Sequence, residues 1–298
     1  MFDYKLMDAL WAVIREGSFE GAAARLNITA SAVSQRVKLL ESRIGQVLVI
    51  RSKPCEATPT GYRLFAHMEQ VKLLEQDVKS DFQTSGLVEG DAPPVLRIGV
   101  SGDSMNTWFN RVISEFCTSE DVLIHILRDD REYTTDALKR GEVIATVTPQ
   151  DRLLDGLKSL RLGRLEYSAV VSPKIYADSL SEGITLASLA TVRGIAFDEK
   201  DTLPNMWVNH IFGAVPTTDA HRVPSFKGYT DACRAGIGWG IAPSLSVKAD
   251  IDAGSLVEMF PEKRMATELF WQYSAISSEI LTRLSRKVKN VAREVLGP

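Results

Sequence analysis

Apolar side chains recur at helical spacing from the start of the chain. Leu6, Leu10, Val13 and Ile14 share one face of a predicted helix. Gly17 ends it, and Ser18 is suited to cap the next. The second helix, Phe19 to Leu26, is short and rich in alanine. Asn27 follows, one of the few non-glycine residues that accept a left-handed turn conformation. Thr29 caps a third helix with Val33, Val37, Leu40 and Ile44 on one face, and Gly45 stops it. Val47 to Arg51 reads as a strand. Lys53-Pro54 and Thr58-Pro59 mark turns, which predicts a short hairpin, or wing. A long helix then runs from about Thr60 to about Phe82, with the stripe Leu64, Met68, Val71, Leu74, Val78 and Phe82. Gly86 to Pro94 is a linker rich in Gly, Pro and acids.

Beyond Val95 the pattern changes to strands alternating with helices. Strands are expected at Leu96–Val100, Val122–Leu127, Val143–Thr148, Tyr167–Val171, Val192–Phe197 and Trp239–Ala242. Helices are expected from about Met105, near Asp136–Arg140, Pro204–Phe212 and Tyr229–Arg234, and over Ser278–Val295. Such alternation predicts mostly parallel sheets covered by helices, in two α/β lobes.

A short helix, a turn at Asn27 and a capped third helix form the helix-turn-helix pattern. Ala23 is small where two helices must cross closely. In such motifs the third helix enters the major groove with its N-terminal residues at base edges. Ser31, Ser34 and Gln35 lie near that end. Gln can contact adenine bidentately, whereas Ser is less selective. Arg36 and Lys38 suit phosphates, and Arg51, Lys53 and Thr60 on the wing suit the flanking backbone. The net charge of -3 gives no overall sign of nucleic acid, but Ala30–Thr60 holds five basic against two acidic residues.

Composition narrows the class further. Hydrophobic residues make up 45% and charged residues 24%, an ordinary globular balance. Cys55, Cys117 and Cys233 show no metal or redox spacing and are expected as free thiols in a reducing compartment. No stretch reaches the roughly 18 apolar residues of a membrane helix, and the N-terminus lacks a signal-peptide pattern. The chain is therefore read as cytoplasmic, without membrane partners or cofactors. His67, His125, His210 and His221 are scattered and no Gly-x-Ser-x-Gly elbow occurs, so catalysis is not expected.

Ser18-Phe19, Ala22-Ala23, Leu26, Ser31 to Ser34, Leu40-Glu41, Gly45, Leu48, Arg51, Thr58 and Gly61 together resemble the opening of LysR-type transcriptional regulators. The resemblance implies an α+β multidomain protein. It would have a winged helix-turn-helix over 1–60, a dimerising linker helix and hinge over 61–92, and a two-lobed α/β effector domain over 93–298 like the periplasmic binding proteins. Lobe I would take about 93–166 and 269–298, lobe II about 167–268. Two departures stand out: Ala30-Ser31 where the family often has Gln-Pro, and Gln35 where it often has Arg. Two side chains that usually contact bases are thus altered. Ala12 to Glu16, Ser31 to Arg36, Gly45-Gln46, Asp103-Ser104, Thr107-Trp108, Arg140 to Val143 and Ala196 to Asp198 resemble the ArgP/LysG branch. That branch regulates basic amino acid export and is also described as an inhibitor of chromosome initiation. It implies lysine or arginine as effector and control of amino acid export or metabolism genes.

The expected partners are double-stranded operator DNA, a basic amino acid and a second copy of the chain, as homodimer or homotetramer, with contact to RNA polymerase left open. In this family the linker helix packs against its counterpart; docking on its own effector domain is the alternative. Ligands of α/β sheets bind beyond the carboxyl ends of strands, so the effector is expected in the cleft between the lobes. Ser101, Ser104 and Thr148, with Gln150 beside it, suit a carboxylate. Asp103, Asp129, Asp130 and Asp198 are candidate counter-charges, and Phe197, Phe226 and Lys227 lie at matching strand and helix ends in the second lobe. The rival readings are a transporter's solute-binding protein, which leaves residues 1–60 unexplained, and a LysR-type regulator with an unrelated effector.

Overall fold

The computed structural model describes residues 2–84, 93–128, 134–151, 156–214, 219–275 and 278–297. Three helices open the chain: α1 (Tyr4–Glu16), α2 (Phe19–Leu26) and α3 (Ala30–Ile44). Their ends follow the expected chemistry. Gly17 takes φ 67° and Gly45 φ 76°. The Ser18 side chain accepts from the Gly21 amide and that of Thr29 from the Ala32 amide. The hairpin strands β1 (Val49–Ile50) and β2 (Glu56–Ala57) pair antiparallel. β1 is shorter than the expected Val47–Arg51. The Leu48 amide donates to Glu41 Oε1 at 2.8 Å, and the Val47 carbonyl accepts from Thr58 Oγ1 at 2.8 Å. These groups are therefore committed outside a ladder.

In the first turn of the long helix α4 (Pro59–Thr84), a Cβ at Gly61 would lie 2.0 Å from the Leu48 carbonyl oxygen, so only glycine fits. The expected single stripe is divided. Phe65 and Met68 are buried in one core with Leu10, Trp11, Val33, Val37 and Leu48, and Leu64 packs against it. Leu73 is buried too, but Leu74 and Val78 are 42% and 54% exposed. Phe82 lies outside the described side chains.

The rest of the chain runs β3 (Val95–Val100), α5 (Gly102–Ser104), a π turn (Met105–Phe109), α6 (Asn110–Ser119), β4 (Leu123–Arg128), α7 (Thr134–Arg140) and β5 (Ala145–Thr148). It continues through β6 (Leu157–Val171), α8 (Pro173–Ile175), a second π turn (Tyr176–Leu180), α9 (Leu186–Ala190), β7 (Gly194–Ala196), α10 (Leu203–Phe212) and β8 (Ala220–Arg222). It ends with α11 (Phe226–Arg234), β9 (Gly240–Pro243), α12 (Ser244–Asp252), β10 (Val257–Met259), β11 (Met265–Ser274) and α13 (Glu279–Leu296). The helix expected from Met105 thus starts three residues earlier and is interrupted. Asn106 Nδ2 and Thr107 Oγ1 donate to the Gly102 and Asp103 carbonyls, at 2.8 and 2.7 Å, which competes with a regular α ladder.

The chain divides into two compact units. The first holds Met1–Ser101, Val112–Leu160 and Phe270–Asn290; the second holds Gly102–Arg111, Arg161–Leu269 and Val291–Pro298. In the first unit, β3 pairs parallel with β4 and β5, and β5 pairs antiparallel with β11 (Trp271 opposite Val147). Leu281, Leu284 and Val288 of α13 are buried. α4 packs here against α1 and α7. Gly141, at φ 72°, abuts Ala66 so closely that a Cβ would overlap it; Gln70 donates to Ser274 Oγ at 3.1 Å, and Asp77 accepts from the Glu279 amide at 2.8 Å.

In the second unit, β6 pairs antiparallel with β9 and β10, while β7 and β8 run parallel. The expectation of mostly parallel sheets is therefore corrected to mixed ones. The long strands β6 and β11 enter without the crossover helix that makes neighbours parallel. The core here is Val170, Ile195, Tyr229, Ala232, Cys233, Ala242, Val247 and Leu256. Burial pushes the Cys233 thiol up to about 12. At pH 8 its thiolate is therefore negligible, whereas Cys117 is exposed. Native protein treated with a thiol reagent at pH 8 should be modified first at Cys117, and at Cys233 only on unfolding. Mass spectrometry showing early modification of Cys233 would contradict this packing.

Candidate functional site

The helix-turn-helix is built by local bonds. Asn27 sits at φ 52°, ψ 43° and ends α2, and the Ile28 amide returns to the Ala23 carbonyl at 3.1 Å. Ala23 is buried at the crossing. With Val33, Val37 and Leu40 buried, α3 turns Ser31, Ser34, Gln35 and Lys38 outward at i, i+3, i+4 and i+7. Ser31, Gln35 and Lys38 are exposed and Ser34 half-buried. Arg36 lies three residues after Val33, at the margin of the buried stripe, and is half-buried.

On the wing, Arg51 and Lys53 are exposed. The Arg51 guanidinium lies 4.7 Å from the centre of the Phe19 ring, so a cation–π contact fixes it beside the start of α2. Thr60 is half-buried and donates to Gln46 Oε1. Glu41 ties the wing to α3 through the Leu48 amide, and Thr58 Oγ1 ties it to α4 by accepting from the Gly61 amide at 3.1 Å, which gives the basic wing a fixed place beside α3.

The effector candidates fall in both units. In the first, Ser101 is half-buried after β3, and Thr148 is buried at the end of β5 with its Oγ1 accepting from the Gln150 amide at 3.2 Å. The Gln150 carbonyl accepts from Gln272 Nε2 at 2.9 Å. Asp129 and Asp130 lie outside the described residues. In the second unit, Ser104 is fully buried and Asp103 half-buried. Asp103 Oδ2 accepts from the Tyr167 hydroxyl at 2.8 Å. The Phe197 and Phe226 rings meet with centroids 5.0 Å apart. Asp198 caps its own turn, accepting from the Lys200 amide at 2.8 Å. Lys227 is exposed and pairs with Asp231 at 2.6 Å.

Two residues that hydrogen-bond to candidate residues escaped the sequence reading. Tyr167 holds Asp103, and Asp201 accepts from the Phe197 amide at 2.8 Å. Tyr167 was hidden inside an apolar strand pattern, and Asp201 sits in a polar turn with nothing to distinguish it from its neighbours. Among the described residues no His, Cys, Asp or Glu cluster could hold a metal ion, and no helix is long and apolar enough to cross a membrane.

Comparison with known proteins agrees with this architecture. The pattern of the bacterial regulatory helix-turn-helix protein, lysR family, matches residues 4–62, and that of the LysR substrate binding domain matches residues 90–287. The chain is similar to the HTH-type transcriptional regulator ArgP of Pseudomonas aeruginosa, 36% identical over 285 residues, covering 96% of this chain and 94% of that one. It is similar to the crystal structure of ArgP from Mycobacterium tuberculosis, with a TM-score of 0.87 at 34% identity over 98% of each chain. It is also similar to full-length LysG from Corynebacterium glutamicum with bound effector Arg, with a TM-score of 0.79 at 32% identity over 100% of each chain. With its helix-turn-helix and its effector domain both matched, the chain belongs to the LysR family of bacterial transcriptional regulators.

Proposed function

We propose that this LysR-family regulator binds operator DNA as a homodimer or homotetramer and that arginine or lysine, held by its effector domain, controls that binding. It works in the cytoplasm, regulates genes of amino acid export or metabolism, and catalyses no reaction. The observation that carries the effector is the LysG of Corynebacterium glutamicum, which is alike over the full length at 32% identity and has Arg as its bound effector.

The residues support this reading. Gln35, Ser31 and Ser34 are proposed to meet bases, while Arg36, Lys38, Arg51, Lys53 and Thr60 meet the DNA backbone. A basic amino acid carries cationic groups that cannot be taken from water without carboxylate partners. Asp103 and Asp198 are proposed for that role, with Ser101, Ser104, Thr148 and Gln150 as hydrogen-bonding groups and Phe197 and Phe226 as an apolar wall. The exposed Leu74 and Val78 on α4 are proposed to meet a second copy of the chain.

Three measurements check the proposal. In gel shifts across a salt series, Arg51→Ala should weaken binding to every sequence and lower the salt slope by about one phosphate contact. Gln35→Ala should change base preference instead, by about 1–3 kcal/mol at one position. Wild-type behaviour of both would refute the docking. In light scattering, Leu74→Asp with Val78→Asp should reduce the oligomer, because a contact there would bury the new charges unpaired; an unchanged oligomer of a folded variant would refute the α4 contact. In calorimetry on the full chain, arginine or lysine should bind about ten- to a hundredfold tighter than leucine, which leaves a carboxylate without its charged partner. Equal binding of leucine, or no binding of either basic amino acid at millimolar concentration, would refute the effector.

A further inference from the structure

We infer that Phe19 is a positioning residue for the DNA contact of the wing: the face of its ring holds the Arg51 guanidinium and leaves that group's charge and N–H donors to a backbone phosphate. The inference rests on the docking proposed above, in which Arg51 meets the DNA backbone. The two residues come from different elements, and the packing of the wing brings them together. The Cys55 amide donates to the Gly17 carbonyl at 2.7 Å, and a Cβ on Gly17 would lie 2.9 Å from Pro54 Cβ. The wing therefore sits directly against the turn between α1 and α2. Phe19 opens α2 just after that turn. Ser18 caps the helix by accepting from the Gly21 amide at 3.0 Å, and the half-buried Phe19 ring packs against the core of the reader. A fixed ring thus faces an exposed guanidinium 4.7 Å from its centre.

The chemistry of the holder carries the inference. Three other arginines of the reader are paired with carboxylates: Arg15 with Glu69, Arg25 with Glu16 and Arg43 with Asp3, at 3.4, 2.8 and 3.3 Å. Among the described residues the Arg51 guanidinium makes no hydrogen bond or ion pair, and the Phe19 ring is what holds it. A carboxylate at this place would also hold Arg51, but it would cancel the charge that a phosphate needs. A ring attracts the cation through its negative face and adds no net charge. The guanidinium keeps its planar fork of donors, the geometry that meets a phosphate bidentately. Leu at position 19 would also be apolar, but it would leave a long side chain to be ordered only when DNA arrives. The ring does part of that ordering beforehand.

The test is fluorescence anisotropy of a labelled mixed-sequence DNA duplex titrated with the full chain, because a phosphate contact needs no particular base sequence. Phe19→Leu should weaken binding about two- to tenfold, the range expected for ordering one long side chain at an interface. Phe19→Tyr keeps the ring and should bind within about twofold of wild type. In an Arg51→Ala background Phe19→Leu should cost less than about twofold, since the guanidinium it would hold is gone. Melting curves confirm the fold. Should Phe19→Leu not fold, pentafluorophenylalanine at position 19 keeps the shape of the ring but removes its negative face, and should weaken binding in the same way. No loss on removing the ring or its negative face, equal loss in both backgrounds, or a loss in Phe19→Tyr as large as in Phe19→Leu would overturn the inference while leaving the docking standing. Wild-type affinity of Arg51→Ala would refute the docking of the wing and this inference with it.

Discussion

The arrangement of the DNA-reading half depends on one buried carboxylate. Glu69 on α4 is 8% exposed and accepts from the Trp11 indole and, at 3.4 Å, from Arg15, both on α1. A buried carboxylate without such partners would be strongly unfavourable. Burial also lowers the pKa of Arg15, though it remains a cation at any physiological pH. Lys72 and Arg25 lie over the Trp11 ring at 4.2 and 4.7 Å. The pairing fixes the rotation of α4 about its own axis. At about 100° per residue, Leu74 and Val78 fall roughly 140° and 180° from Glu69. Their exposure follows from the same bond that turns Phe65 and Met68 inward.

α4 is held at a second place by the effector half of the first unit. Gly141 lies at the turn between α7 and β5, and Ser274 ends β11, which pairs with β5. Thr148, an effector candidate, stands at the far end of that four-residue strand. Linker helix and candidate residue are thus attached to opposite ends of one short buried strand.

How much of this was legible in the sequence depends on the range of the interactions. The ends of α1, α2 and α3 are set by caps and left-handed residues within a few positions, and Gly17, Ser18, Asn27, Thr29 and Gly45 announce them. In the second half β3 to β7 and β9 were expected in part or whole, where apolar runs are short and flanked by helices, whereas β8, β10 and β11 were not expected. β6 was not seen at its full 15 residues, because Lys158, Arg161, Arg164 and Glu166 break its apolar pattern. The antiparallel pairings were missed because a sequence pattern carries no strand direction. At the candidate site, Asp103 stood out by following a strand end, whereas its partner lies 64 positions away and only the fold brings it there.

The sharing of one core by α4 and the three-helix domain bears on how such regulators can be recombined. A fragment ending at residue 60 would lose Phe65, Met68 and Glu69 together. It would expose Leu10, Trp11 and Val37 to water and leave the Trp11 indole without its acceptor. A chimera that joins this DNA reader to a foreign sensor therefore has its natural splice point beyond Leu73, the last described residue of α4 that is buried. Upstream of that point the linker helix shares the reader's core while Ala66 and Gln70 touch the effector half, so exchanging it would change both sets of contacts at once.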